Sequence, residues 1–227
     1  MTSAELVALM LADARLPTGG HTQSGGLEPA VRAGLAAEDP AEVAAYARDR
    51  LRTVVRVEAG TAVVARHLAL AGADPREVEP HWAARTPNPA LRAASRMQGR
   101  GYLRLAQRIW PAVLEHLPAD GPGSPGLPRP LVLGVVGAVT GLSAAQVARL
   151  VGYDDAQTVV AASLKLLPVD PAEASGWLVR LHPDIEALTA PALTGLVDPA
   201  RIPADGAPLV DLHAQQHTTE RMRLFHA

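Results

Sequence analysis

The amino-acid sequence predicts an all-α protein, built as a multi-helix bundle in a single domain. Three observations lead to this class: helix-start signals recur along the chain, long segments carry apolar residues at helical spacing, and no segment alternates apolar and polar residues as a strand would. Aromatic residues make up only 3% of the 227 residues, so the core must consist mainly of leucine, valine and alanine. Small side chains of this kind favour close helix–helix packing.

The helix-start signal is the phrase aspartate-proline-x-glutamate, which begins at Asp39, Asp74 and Asp170. Aspartate at the N-cap accepts a hydrogen bond from a free backbone N–H, and the proline that follows has no N–H to leave unpaired. The glutamate reaches back to the cap and interacts favourably with the helix dipole. Two further capping boxes are predicted, at Thr2 with Glu5 and at Ser143 with Gln146.

Three segments between these signals are predicted to be helical. From Val43 to Leu70, apolar residues lie near helical spacing and no proline interrupts them. In a second segment, residues spaced three or four positions apart lie on a single helix face: Leu91, Ala94, Gln98, Tyr102, Leu105, Ile109 and Val113. The apolar run Leu131–Leu142 is interpreted as a helix rather than a buried strand, with a groove of small residues that lets another helix approach: Gly134, Ala138 and Gly141.

Two proline-rich stretches divide the chain. The stretch Leu117–Pro130 is predicted to be a flexible connection, and the stretch Ala190–Pro208 separates the end of the chain from the rest. We therefore expect a helical domain over residues 1–208 and a detachable C-terminal tail over residues 209–227. A helix of about 20 residues is marginal alone and becomes ordered by docking.

Composition excludes several classes of protein. The chain has no cysteine, which excludes a disulfide scaffold, a thiolate metal site and a cysteine nucleophile. The formal net charge of −2 shows no overall basic bias toward nucleic acid. The N-terminus lacks the basic region of a signal peptide, and the longest apolar stretch, Leu131–Val139, is too short to span a membrane. We expect a cytoplasmic protein with no membrane association.

The glycine-rich segment over residues 16–28 lacks the residues of three catalytic or phosphate-binding motifs. It lacks the lysine of a phosphate-binding loop, and the segment before it is predicted to be a helix rather than the strand that a dinucleotide fingerprint requires. Ser24 lacks the glycine two residues before it that a nucleophile elbow needs. His213 and His217 have ligand spacing, but the first is followed by Ala214 and not by the glutamate of a zinc protease. Two interpretations of the pair stay open, a solvated tail and a transient nickel or zinc site. The sequence thus favours a protein that is not an enzyme.

Arginines recur at every fourth position in two of the predicted helices. One stripe comprises Arg48, Arg52 and Arg56, and the other comprises Arg92, Arg96, Arg100, Arg104 and Arg108. Three interpretations remain open: a solvated face paired with neighbouring acids, a surface for an acidic protein partner, and a surface for nucleic acid. The third makes a helical nucleic-acid-binding or regulatory protein the alternative function.

Three segments in register resemble the urease accessory protein UreF family. The first runs from Leu16-Pro17-Thr18-Gly19-Gly20 into Ser24-Gly25-Gly26-Leu27-Glu28. The second joins Gly134-Val135-Val136 and Gly141-Leu142 to the Leu-Leu-Pro that ends at Pro168. The third is the tail, with Asp211-Leu212, His217 and Arg223-Leu224-Phe225. The resemblance covers nearly the whole chain.

The resemblance implies an all-helical homodimer that acts as a chaperone in urease maturation. It implies that the chain bridges a UreD (UreH) scaffold protein and the GTPase UreG, so that nickel reaches the urease apoprotein. Nickel would be in transit and GTP would belong to the partner, so no cofactor is expected to bind stably and no metal ligands are assigned. The implied partner-binding residues are Pro17, Gly19, Gly20, Ser24, Gly26, Leu27, Glu28, His217, Arg223, Leu224 and Phe225.

The tail itself allows two interpretations. Phe225 is the only phenylalanine in the chain and follows Leu224 in an otherwise polar segment. It is either an apolar anchor for a groove on a partner, or the point at which the tail folds back on its own domain.

Overall fold

The computed structural model describes residues 3–118, 124–220 and 222–225, and in these ranges the fold is all-α, without strands. The predicted fold class is therefore confirmed. The helices in chain order are α1 (Ala4–Leu11), α2 (Leu27–Arg32), α3 (Glu42–Arg52), α4 (Val54–Leu70), α5 (Val78–Arg85), α6 (Pro89–Ile109), α7 (Val113–His116), α8 (Arg129–Thr140), α9 (Ala144–Leu166), α10 (Pro171–Arg180), α11 (His182–Ala187), α12 (Pro191–Thr194) and α13 (Pro208–His217).

The predicted helix starts are largely as expected. Asp170 caps α10, where its Oδ1 accepts the N–H groups of Ala172 and Glu173 at 2.8 and 3.1 Å. Ser143 and Gln146 form the reciprocal capping box of α9, with hydrogen bonds of 3.2 and 2.8 Å. Asp39 and Asp74 each accept a hydrogen bond from the backbone N–H two residues later, in turns that precede α3 and α5. Thr2 lies outside the described residues.

Helices α4, α8 and α9 form the centre of the bundle. Helix α8 packs along α4, and a Cβ at Gly134 would collide with the carbonyl oxygen of Ala62. This close approach is the one that the predicted small-residue groove requires. Ala138 is only half-buried, and Gly141 ends α8 with a φ of +79° instead of contacting a neighbour. Helix α9 packs against α3, α4 and α10.

Two predicted helices need correction. The segment 43–70 contains two helices, because Thr53 leaves the helical conformation (φ −126°, ψ −100°) and its hydroxyl donates to the carbonyl of Asp49 at 2.7 Å. The segment 91–113 is helical only as far as Ile109, where α6 ends, and Val113 begins the separate helix α7. The buried face of α6 is rotated from the predicted face and consists of Ala90, Ser95, Gly99, Gly101, Tyr102, Leu103 and Ala106.

The tail is docked on the helical body. Helix α13 packs against α2 and α6, and it buries Val210, Ala214 and His217. The side chain of Asn88 caps α6 and also donates to the carbonyl of Asp211 at 2.6 Å. No helix in the described ranges is both long and apolar enough to cross a bilayer.

Candidate functional site

The glycine loop, residues 16–26, joins α1 to α2 and lies against α3. Gly25 and Gly26 have positive φ angles of +60° and +79°, which glycine adopts without strain. The Tyr46 hydroxyl of α3 donates to the carbonyl of Gly25 at 2.9 Å, and a Cβ at Gly26 would lie 2.8 Å from the same hydroxyl oxygen. Glycine is required here because the loop must turn tightly and approach α3 closely.

The other end of the loop is fixed by α6. A Cβ at Gly101 would collide with the backbone of Thr18, so the absence of a side chain lets the loop cross the helix. Tyr102, the next residue of α6, is buried, and burial raises the pKa of its hydroxyl. The glycines of the loop and of α6 thus serve packing between backbone segments.

Glu28 joins the glycine loop to the tail. Its side chain is fully buried at the start of α2, and its two carboxylate oxygens accept the backbone N–H groups of Leu224 and Phe225 at 2.9 and 3.0 Å. Arg32, one turn later, donates to the same carboxylate at 2.6 Å. These hydrogen bonds offset the cost of burying the charge. Two predicted motifs that lie 196 residues apart in sequence are therefore one site.

His217 closes the site from the tail side. Its ring is fully buried, and Nε2 lies 3.2 Å from the carbonyl oxygen of Phe225. Nδ1 lies 3.3 Å from a carboxylate oxygen of Glu220, which also pairs with Arg32. The imidazole therefore holds the last turn of α13 against Phe225.

Phe225 is buried, with 4% of its surface exposed, and packs beside the glycine loop. The ammonium of Lys165, the only lysine of the sequence, lies 5.0 Å from the centre of the phenyl ring. Phe225 forms part of the wall of a cavity of about 210 Å³ between the loop and α9, which His21 and Gln23 also line. Of the two interpretations of the tail, the structure shows the one in which it folds back.

Two buried arginines lie beneath the loop. Arg50 of α3 makes a bidentate pair with Asp155 of α9, with Nε and Nη2 at 3.0 and 2.5 Å from the carboxylate oxygens. Arg129, at the start of α8, pairs with Glu58 of α4 and, at 2.7 Å, with Asp154. Burial raises the pKa of the Asp154 carboxyl, and the neighbouring Arg129 acts against this effect. These pairs connect α3, α4, α8 and α9 under the site.

The implied partner-binding residues differ in accessibility. Ser24, Gly26, Leu27, Glu28, His217 and Phe225 are buried, and Gly19 and Gly20 are half-buried. Pro17, Arg223 and Leu224 are exposed, and Leu224 exposes 68% of its surface. With the tail docked, only this last group presents its side chains to a partner, while the buried group positions the loop and the tail.

Several residues of the site were not singled out from the sequence. Arg50, Arg129, Asp154 and Asp155 carry no local signal, because the partners in each pair lie on different helices, 105 residues apart for Arg50 and Asp155 and 25 for Arg129 and Asp154. Lys165 is distinctive in the sequence because it is the only lysine among 21 basic residues. Its position on α9 nevertheless gave no indication of a contact with the tail.

Of the pair His213 and His217, the second is held by contacts within the chain. His217 faces Phe225 and Glu220, and its Nε2 also lies 3.6 Å from Glu28. In the parts of the chain that the structure describes, no group of three or more histidine, aspartate or glutamate side chains is placed to hold a metal ion.

Comparisons with known proteins show the family of the chain. Residues 37–182 match the family model described as UreF. The chain is 38% identical over 218 residues to the urease accessory protein UreF of Mycolicibacterium vanbaalenii, covering 96% of each chain. It is 41% identical over 220 residues to that of Mycobacterium sp. strain JLS, again covering 96% of each. It is 39% identical over 222 residues to that of Mycobacterium tuberculosis H37Rv, covering 96% of this chain and 95% of the relative.

Proposed function

Because the chain belongs to the UreF family, we propose that it acts as a non-catalytic assembly chaperone in urease maturation. In this role it bridges a UreD/UreH-type scaffold protein and the GTPase UreG, so that nickel is delivered to the urease apoprotein. Nickel is the cargo of the assembly, and GTP binds to the partner. We further propose that the chain works in the cytoplasm as a homodimer.

The observation that carries the proposal is the connection of the tail to the glycine loop through Glu28. It fixes the backbone of Leu224 and Phe225 before any partner arrives. Arg223 and Leu224 are then presented in one conformation, and an ordered docking segment binds with a smaller entropy cost than a disordered one. A surface of this kind suits a protein that works by binding other proteins.

The charges around the site support the same role. Glu28 accepts backbone groups of the tail, Asp155 pairs with Arg50, and Glu58 pairs with Arg129. These charged groups hold segments of the chain to one another. The acids and bases of an enzyme's active site are instead positioned toward a substrate.

The proposal is tested by replacing the exposed leucine of the tail. Leu224→Ala should weaken binding to the UreD-type scaffold by about tenfold, as the loss of a central apolar contact does in other interfaces. Leu70→Ala is the matched control, because Leu70 is similarly exposed (58%) at the end of α4 and lies outside the site. Binding is measured by titrating labelled scaffold protein, and assembly with UreG by size-exclusion chromatography.

A second variant separates docking of the tail from contact with the partner. Glu28→Gln keeps the shape of the side chain but removes the charge that accepts two backbone N–H groups, so the tail should loosen and the scaffold should bind more weakly. If Leu224→Ala and Glu28→Gln both bind the scaffold as tightly as Leu70→Ala does, the tail is not the docking segment. Deletion of the tail is a poorer test, because it also removes the buried side chains of Val210, Ala214 and His217.

A further inference from the structure

The arginine stripe of α6 divides into an inner pair and an outer group. Arg92 donates to the carbonyls of Thr86 and Pro87 at 2.7 and 2.6 Å, just before the start of the helix. Arg96 pairs with Glu79 at 2.6 Å, and its guanidinium lies 5.4 Å from the centre of the Trp82 ring. These two arginines are bound within the protein.

The outer group comprises Arg100, Arg104 and Arg108, which are all exposed. Arg100 makes one hydrogen bond, to the carbonyl of Pro125 at 2.7 Å. Among residues 3–118, 124–220 and 222–225, no acid pairs with any of the three, and Arg104 and Arg108 make no side-chain hydrogen bond. With a rise of 1.5 Å per residue, the three arginines form a basic ridge about 12 Å long.

Exposed apolar residues follow the ridge in the sequence. Ile109, beside Arg108, exposes 45% of its surface, and Leu114 of α7 exposes 43%. Arginine next to exposed apolar residues is typical of surfaces that bind proteins. Binding to nucleic acid depends on the number of phosphate contacts, and the ridge offers only three arginines. The chain as a whole is also slightly acidic, with a net charge of −2.

We propose that the ridge of Arg100, Arg104 and Arg108 is a docking surface for an acidic helical segment of another protein. Carboxylates four residues apart on such a helix repeat at the same interval as the arginines, so each can form a bidentate pair with one guanidinium. Apolar residues next to the carboxylates would contact Ile109 and Leu114. The surface is separate from the glycine loop and the tail, and the inference does not depend on the proposed function.

The test uses a labelled helical peptide of about 15 residues with glutamates at i, i+4 and i+8, and a second peptide in which the same residues are scrambled. Binding is measured by fluorescence anisotropy for the full chain and two double variants. Arg104→Ala with Arg108→Ala removes two charges from the ridge. Arg180→Ala with Arg201→Ala is the matched control: it removes two exposed arginines that, within the described ranges, have no acid partner.

The ridge variant should bind the spaced peptide about tenfold more weakly than the unmodified chain, and the control variant should bind it within about twofold. The scrambled peptide should bind more weakly than the spaced one. Equal losses in both variants would show that only net charge matters, and this would overturn the proposal. It would also be overturned if the unmodified chain bound neither peptide, or if duplex DNA bound the ridge more tightly than the spaced peptide.

Discussion

Arg50 and Arg129 lie under the glycine loop, almost enclosed by protein, whereas most arginines of the two sequence stripes lie at the surface. The buried arginines show no repeating pattern in the sequence and hold four helices together. The surface arginines repeat at every fourth position. They differ among themselves, since Arg48 and Arg52 share Asp184 of α11, while Arg104 and Arg108 have no acid partner within the described ranges.

We therefore expect burial and pairing, and not spacing along the helix, to determine how much an arginine contributes to stability. A buried charge is costly when its partner is removed, because the remaining group is then desolvated and unpaired. An exposed charge returns to water at little cost. The most visible basic pattern in this sequence should therefore matter least for stability, and this ranking can be measured.

The largest loss of stability is expected when Asp155 is replaced. Asp155→Asn leaves the Arg50 guanidinium buried without its carboxylate, and we expect a loss of about 3–5 kcal/mol in the free energy of unfolding. The measurement is urea denaturation followed by circular dichroism. The double variant Arg50→Met with Asp155→Leu should recover most of the loss, because no unpaired charge remains. If the double variant is as unstable as the single one, the loss arises from packing and the unpaired charge is not its cause.

The adjacent Asp154 provides a matched control for this prediction. Burial raises the pKa of its carboxyl, so the native state binds this proton more tightly than the unfolded state does. The stability that Asp154 contributes is therefore complete below its ordinary pKa and decreases as pH rises through the raised value. Asp154→Asn should cost much less than Asp155→Asn at pH 7, and the variant should gain stability relative to the unmodified chain between pH 4 and pH 7.

The features that sequence reasoning predicted are local ones. The caps at Asp170 and Ser143 depend on residues two or three positions away, and both form as expected. The break at Thr53 was missed because a threonine hydroxyl that bonds to a preceding carbonyl competes with the helix, and helical spacing alone does not reveal this. The face of α6 was misplaced because glycines, at Gly99 and Gly101, mark its tightest contacts, and a search for large apolar residues overlooks them.

The candidate site was predicted as two separate motifs and not as one. Similarity to a family indicated Glu28 and the tail, but nothing local places the Leu224 N–H against a carboxylate 196 residues away. Arg50 and Asp155 are 105 residues apart, and their pairing depends on how α3 crosses α9. Contacts of this kind follow from the tertiary arrangement of helices, which neither composition nor periodicity specifies.

A smaller loss of stability than at Asp155 is expected at Asp184, which pairs with two arginines of the first stripe. Asp184→Asn removes the carboxylate that accepts from Arg48 at 3.1 Å and from Arg52 at 2.8 Å, and we expect a loss of about 1 kcal/mol or less. The loss should shrink when unfolding is repeated at high salt, because the side chain of Arg52 is exposed and its charge is screened. Glu186→Gln, which breaks the more exposed pair with Arg149, should cost less still. A loss at Asp184 as large as that at Asp155 would remove the distinction between the two regions.

The smallest change in the free energy of unfolding is expected for the arginines of the ridge. Whether a substitution there stabilises or destabilises the protein is informative. Arg104→Ala removes the repulsion between Arg104 and the like charges of Arg100 and Arg108 and adds a better helix former, so the free energy of unfolding should rise by about 0.2–0.5 kcal/mol. Arg108→Ala should be neutral or slightly destabilising, because Arg108 lies in the last turn of α6 and interacts favourably with the helix dipole. Thermal denaturation of the two single variants measures the difference.

Arg96→Ala is the control within the same stripe. It should cost more than either ridge variant, because it removes the pair with Glu79 and the contact with Trp82. If Arg104→Ala both stabilises the protein and weakens binding of the acidic peptide, the arginine is retained for docking at a small cost in stability. If Arg104→Ala destabilises the protein as much as Arg96→Ala does, Arg104 has a structural partner, and the division of the stripe into an inner pair and an outer ridge is wrong.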